Sequence, residues 1–177
     1  MTDKEILDLY NSGERKQAFN VIVRTYGEKL YYHIRRMVAI HEDADDCLQN
    51  TLIKAWNALE TFRGDCGLYT WLYRIATNET ITFLRKQRLR GFFSPVDFAE
   101  RLSADPTFNG DKLQAALQKA IAKLPPKQRA VFTMRYWDEL PYEQISEILG
   151  TSIGALKASY HHADKKVKEW VLNFYEN

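Results

Sequence analysis

Lys157, Ser159, His161 and His162 are a close grouping of side chains able to meet phosphate oxygens and base edges, and they follow the turn Gly150-Thr151-Ser152. An ammonium neutralises phosphate, while imidazole and hydroxyl groups exchange hydrogen bonds with bases in a groove. A second group joins Trp71 and Tyr73, with Phe62 and Tyr69 nearby, to Arg85, Lys86, Arg88 and Arg90. Ring faces stack on unpaired bases while cations follow the backbone, and stacking contributes about 1–3 kcal/mol per base. The same rings recur at helical spacing with Leu72 and Ile75, which suits an ordinary core, so both readings stand. A third group, Glu42, Asp43, Asp45 and Asp46, is acidic. At a helix start such carboxylates favour the free N–H groups, and capping accounts for Asp43 and Asp45. A metal would need converging ligands, such as His41, from elsewhere.

The elements that carry these groups are helical. In YEQISEILGTSIGALKASYHHA, Ile145, Ile148 and Leu149 make one apolar face, and Gly150 ends that helix in the left-handed conformation. Thr151 or Ser152 caps the next helix, predicted from about Ile153, with Leu156 and Tyr160 turned inward. This is a helix-turn-helix pattern. Its alternative is a surface hairpin with no nucleic-acid role. In LQNTLIKAWNAL the buried side is predicted to hold Leu48, Leu52, Ala55, Trp56 and Leu59. Asp46, Gln49, Asn50 and Ile53 then form a surface strip, either a docking face or merely solvated. Arg63-Gly64-Asp65-Cys66-Gly67 reads as a loop that lets the backbone approach a ligand, and it lacks the pattern of a phosphate loop.

Strand signals are nearly absent, whereas helical periodicity runs from Lys4 to Leu89 and from Lys112 to Phe174. The expected fold is all-α, with two small helical domains, residues 1–90 and 112–177, joined by a flexible linker over 91–111. The linker carries Gly91, Pro95, Pro106 and Gly110 among turn-forming residues. Its Phe92, Phe93, Phe98 and Phe108 either lie along a partner or dock on the chain's own domains. Leu124-Pro125-Pro126 divides the second domain, with a new helix from about Lys127.

At 177 residues and 45% hydrophobic content the chain can bury a core. A net charge of +2 is too small to imply nucleic acid by itself, so the placement of cations matters more than their sum. MTDKEILDLY has no signal-peptide pattern and no stretch approaches a membrane span. Cys47 and Cys66 are too few for a disulfide framework and make no C-x-x-C pair, so a reduced, cytoplasmic protein is expected.

Taken in order, DADDCLQNTLIKAW, FRGDCGLYTWLYRIATNE and LPPKQRAVFTMRYWDELPYEQISEILGTSIGALKA resemble a bacterial RNA polymerase sigma factor of the sigma-70 family, extracytoplasmic-function (ECF) group. The resemblance implies a transcription initiation factor with no catalytic residue, metal or cofactor of its own. Its implied partners are core RNA polymerase, through clamp and flap regions, promoter DNA, and an anti-sigma factor, often membrane-anchored. By match to the family pattern, Asp46, Gln49, Asn50 and Ile53 would face polymerase, although many relatives carry Glu at the position of Asn50. Arg63, Gly64, Asp65, Trp71, Tyr73, Arg74 and Asn78 would capture an unstacked base of the −10 element, with Arg85, Lys86 and Arg88 on phosphates. Ser152, Lys157, Ala158, His161 and His162 would meet the −35 element. There the chain departs from the common pattern, with Ala155-Leu156 for Thr-Val and Ala158-Ser159 for Ser-Arg. One cationic contact is lost, so an unusual −35 preference and a shallower salt dependence are expected.

Two other classes fit parts of the chain. A helix-turn-helix regulator that senses a ligand or dimerises leaves the aromatic and basic strip without a role. A nucleic-acid enzyme would need Asp43, Asp45 and Asp46 as metal ligands, and they sit too close to a helix start.

Overall fold

The computed structural model describes residues 1–91 and 95–176, with the backbone alone at Pro95 and Val96. Phe92 and Phe93 lie outside the described residues. Those described contain helices and no strand.

The N-terminal half has four helices. α1 (Asp3–Asn11) starts with a reciprocal cap, in which the Thr2 hydroxyl accepts from the Glu5 N–H and the Glu5 carboxylate from the Thr2 N–H. α2 (Arg15–Val38) and α3 (His41–Ala58) follow, and a single 3-10 turn at Leu59–Thr61 leads into the loop before α4 (Leu68–Leu89). Asp3 ties this loop down from a distance. One of its oxygens accepts from the Leu68 N–H at 2.9 Å, at the start of α4, and the other from the Tyr26 hydroxyl at 2.6 Å.

The linker is more ordered than a spacer. It contains α5 (Pro95–Ala104), whose Arg101 forms a forked ion pair with Asp43 at 2.8 and 3.0 Å. Asp105 then accepts from the His41 N–H at 2.7 Å, so the start of α3 is capped by the linker. The capping role expected of Asp43 and Asp45 falls to this distant carboxylate, while Asp43 pairs with Arg101 and Asp45 with His41. Burial would raise the Asp105 carboxyl, but hydrogen bonds from the His41 and Thr107 N–H groups and the Thr107 hydroxyl hold it at about 2. Of the linker aromatics, Phe98 and Phe108 are half-buried on the chain itself. The Phe108 ring lies so close to Gly110 that a Cβ there would meet its Cζ at 2.8 Å.

The C-terminal half comprises α6 (Lys112–Lys123), α7 (Pro126–Tyr136), α8 (Tyr142–Leu149) and α9 (Ile153–Glu176). Pro126 starts α7 because proline's fixed φ and missing N–H suit a first helical turn. Ala120, Ile121, Leu124, Phe132, Ala163 and Val167 make a core between α6, α7 and the later turns of α9. A second, larger core does not stop at the linker. It runs from Ile6, Leu30 and Leu72 in the first half into Ala130, Met134, Ile145 and Leu156 in the second, so the two halves share buried apolar surface.

Candidate nucleic-acid interface

The turn between α8 and α9 is built as the sequence requires. Gly150 has φ +67°, and the Ser146 hydroxyl donates to the Thr151 carbonyl at 2.7 Å. Ser152 caps α9 by accepting from the Ala155 N–H at 3.3 Å. Leu156 is fully buried and Tyr160 half-buried against Phe132, which fixes the rotation of α9. Lys157, Ala158, His161 and His162 are then all exposed. Gly154 and Ala155 are exposed beside them, so the first turn of α9 offers little beyond backbone to keep it from a groove. Lys165, one turn beyond His161 and two beyond Ala158, is exposed and extends this face, and the sequence reading missed it. Its signal was the spacing of seven from Ala158.

The face of α4 is different. Arg63, Gly64 and Asp65 on the preceding loop are exposed, as are Asn78, Arg85 and Lys86 on the helix. Gly64 has φ +79°, a conformation that favours glycine. Trp71 packs on Phe62 with ring centroids 5.2 Å apart and is half-buried. Tyr73, Arg74 and Arg88 are engaged with the other half of the molecule. The Tyr73 hydroxyl and the Arg36 guanidinium both donate to Asp138, and His33 Nδ1 lies 3.1 Å from the same carboxylate. Arg74 donates to the Glu147 carbonyl at 2.8 Å and Arg88 to the Leu124 carbonyl at 2.7 Å.

These contacts have consistent electrostatics. Burial would raise the Asp138 carboxyl, but hydrogen bonds from His33, Tyr73 and Arg36 outweigh it and hold the group below the ordinary carboxylate range. Tyr73 is 3% exposed, and burial together with the Asp138 charge raises its hydroxyl, which stays a neutral donor. The ring of His33 stacks on Tyr73 with centroids 3.8 Å apart, and its Nε2 bonds the Thr77 hydroxyl at 2.8 Å. Arg129 of α7 is buried without a carboxylate. It donates to the Met37 carbonyl of α2 at 3.1 Å and to the Ala122 carbonyl of α6 at 2.5 Å, both at helix C-termini where backbone dipoles favour a cation. Burial, and to a lesser extent the Arg88 charge, pulls its pKa down to about 9, which leaves it charged at neutral pH.

On α3, Asp46, Gln49, Asn50 and Ile53 form one exposed face, with Ile53 59% exposed. Trp56 corrects the expected burial pattern. The buried stripe is Ala44, Cys47, Thr51 and Ala55, and Trp56 stands on the exposed face with its ring edge-on to Phe19 at 5.2 Å. An aromatic at that position satisfies an apolar count, but three residues beyond Ile53 it falls in line with the polar strip. Cys47 is buried, and its thiol is pushed up to about 12 by burial and the nearby Asp43 and Glu79 charges, which makes it unreactive.

A helix-turn-helix with an open second helix, set beside a helical unit with an aromatic and cationic face, defines a two-part DNA-reading protein. Comparison with known proteins makes this specific. The family description Sigma-70 region 2 matches residues 22–90 and Sigma-70, region 4 matches residues 114–167. The chain is 31% identical to the ECF RNA polymerase sigma-E factor of Escherichia coli (strain K12), with 94% of this chain and 93% of that protein covered. For the ECF RNA polymerase sigma-E factor of Haemophilus influenzae the identity is 29%, over 95% and 94%. Two solved folds are similar at 24% identity. The sigma factor RpoE of Bartonella quintana, in complex with the anti-sigma factor NepR, has a TM-score of 0.63 over 86% of this chain and 96% of that one. CnrH, in complex with the cytosolic domain of CnrY, has a TM-score of 0.64 over 94% and 95%. The chain belongs to the sigma-70 family, in its ECF group. It is a transcription initiation factor that directs core RNA polymerase to promoters through −10 and −35 elements and assists DNA opening.

Proposed function

We propose that the exposed face of α9 formed by Lys157, Ala158, His161 and His162 reads the −35 element, with Ser152 at the helix N-terminus against the backbone. The observation that carries this reading is the turn at Gly150 and Ser152, which leaves that face open while Leu156 locks its rotation. Residues 112–177 would form the −35 unit, 1–90 the −10 and polymerase-binding unit, and 91–111 the linker. In the first unit Arg63, Gly64, Asp65, Trp71, Tyr73, Arg74 and Asn78 take an unstacked base, and Arg85, Lys86 and Arg88 hold phosphates.

The strip Asp46, Gln49, Asn50 and Ile53, extended by Trp56, meets the polymerase clamp. An apolar groove between α6, α7 and α9, lined by Leu113, Leu117, Phe132, Tyr136 and Leu172, suits a helix of the flap. The protein acts in the cytoplasm and performs no catalysis itself. No described helix is long and apolar enough to cross a membrane. An anti-sigma protein controls it, as such a partner, NepR, accompanies one of the two similar folds.

The test is transcription in vitro from a genomic fragment library with bacterial core polymerase, with and without the protein. New starts that share paired upstream elements are expected. No gain with core polymerase, while the protein alone shifts specific duplex DNA, would favour a conventional regulator instead.

A further inference from the structure

His161 and His162 stand next to each other on the exposed face of α9, with ring centroids 5.9 Å apart. They lie about 100° apart around the helix and so flank the strip that runs through Ala158 and Lys165. Gly154, Ala155 and Ala158 line the two turns ahead of them, which lets the helix start sit deep in a groove. The third turn, with its imidazoles, then falls at the phosphate walls. The other two histidines have partners inside the protein: His33 bonds Thr77 and Asp138, and His41 bonds Tyr31 and Asp45. Among the described residues, neither His161 nor His162 joins an ion pair.

We propose that His161 and His162 meet the −35 duplex as imidazolium ions, so that binding takes up protons from solvent and tightens as pH falls. This rests on the assignment of α9 to the −35 element. A neutral imidazole offers one donor and one acceptor, whereas the protonated ring offers two donors and a charge that suits a phosphate oxygen. The chain has Ala158-Ser159 where the family pattern has Ser-Arg, and the histidines restore the lost cation in a different form. An arginine is charged at every physiological pH, but an imidazole changes charge between about pH 5 and pH 8. The shallow salt dependence expected of this face therefore belongs to the upper end of that range and steepens toward the lower end, as more phosphates are neutralised.

The surroundings of the two rings supply no counter-charge before DNA does. Asp164, the one carboxylate within a turn of either ring on α9, pairs with Lys168 at 2.8 Å. The other charges within a turn are Lys157, Lys165 and Lys166. α7 brings Gln128 to Lys166 at 3.2 Å and Arg135 to the ring of Tyr142, and α8 brings that same ring to 5.9 Å from Lys157 Nζ. α6 sets Lys112 and Lys123 on Tyr175 and Trp170, at the far end of α9. Glu143 and Glu147 of α8 are exposed, and among the described residues neither carboxylate pairs with a group on α9. A phosphate is thus the first anion to meet either ring, and an anion in contact favours the protonated form.

The test compares the full chain with the double variant His161→Gln, His162→Gln, in which the side chains still form hydrogen bonds but carry no charge. Both positions are exposed, and circular dichroism checks that the variant remains helical. The probe is a labelled duplex carrying the −35 element of a promoter mapped by the transcription experiment, with a scrambled element as control. Fluorescence anisotropy should show the wild-type Kd rising roughly tenfold from about pH 6 to about pH 8. The salt slope at the lower pH should be steeper by about 1–2. Calorimetry near neutral pH, in two buffers of different ionisation enthalpy, should report net proton uptake by the complex. The variant should bind with the weaker affinity at both pH values and take up no proton. A wild type with the same affinity and slope at both pH values, or a variant that keeps the pH dependence, would overturn the proton coupling and leave the −35 assignment standing. A wild type that binds the mapped element no better than the scrambled one at either pH would remove the −35 assignment, and the coupling with it.

Discussion

The two proposed DNA-reading faces, on α9 and α4, both carry cations and are in opposite states. On α9 the cation and imidazoles project from a helix whose rotation is fixed by Leu156 beneath them, and they stay exposed, with Lys157 Nζ 5.9 Å from the centre of the Tyr142 ring. On α4, Tyr73, Arg74 and Arg88 are committed to contacts with the α7–α8 turn, α8 and the residue after α6. Residue type therefore does not decide whether a reading face is available. What decides it is where a neighbouring helix ends, because a helix C-terminus offers the carbonyls that an arginine would otherwise seek in phosphate.

The contrast can be broken most severely by Leu156→Ala. It removes a fully buried side chain at the base of the open face, within the core shared by both halves. The expected cost is about 2–5 kcal/mol, read as a fall in thermal midpoint, with loss of −35 duplex binding. A midpoint within a degree of wild type would show that α9 is not held from below.

Acid should act both at the covered face, through Asp138, and where the linker caps α3, through Asp105. The Asp138 and Asp105 carboxyls lie below their unfolded values, Asp105 at about 2, so their stabilisation is fully present above the ordinary carboxylate range and is lost as pH falls through the folded values. Stability should decline from roughly pH 4 downward. Asp138→Asn should flatten part of that decline, and an unaltered acid limb in urea titrations would remove Asp138 from the seam's electrostatics.

On the open face Lys157→Ala should weaken binding to a −35 duplex across sequences and reduce the salt slope by about 1. Unchanged affinity and slope would take Lys157 off the interface. The smallest effect is expected of Gly150→Ala, where the backbone at φ +67° would cost an alanine on the order of 1 kcal/mol. Nothing lies within 4 Å of the position a Cβ would take, so the strain is purely conformational and should appear as a small shift in a denaturant midpoint.

Local rules carried the reading of the sequence well where the cause is local. Gly150 and Ser152 end one helix and start the next through their own backbone and hydroxyl, and the Pro125-Pro126 break follows from the proline ring. The register of α3 was misread at Trp56 because an apolar count cannot tell an anchor from an exposed aromatic. Capping of α3 by Asp105 was out of reach for another reason, since donor and acceptor lie 64 residues apart. The same holds for Asp138, whose partners His33, Arg36 and Tyr73 are 105, 102 and 65 residues away. Its carboxylate meets a guanidinium, an imidazole and a hydroxyl, and no spacing pattern announces such a meeting.

α5 also sets a length. Ten residues in helix span about 15 Å, and the same ten extended reach about 34 Å. The difference, roughly 20 Å, corresponds to about six base pairs of duplex. A helix strapped by Arg101 and Asp105 is thus a tether with stored slack, and its melting would decide how far apart two promoter elements can lie and still be grasped by one molecule. Arg101→Ala should widen the range of spacer lengths that support transcription, measured on templates differing only in that interval, and an unchanged optimum would mean that polymerase alone sets the distance.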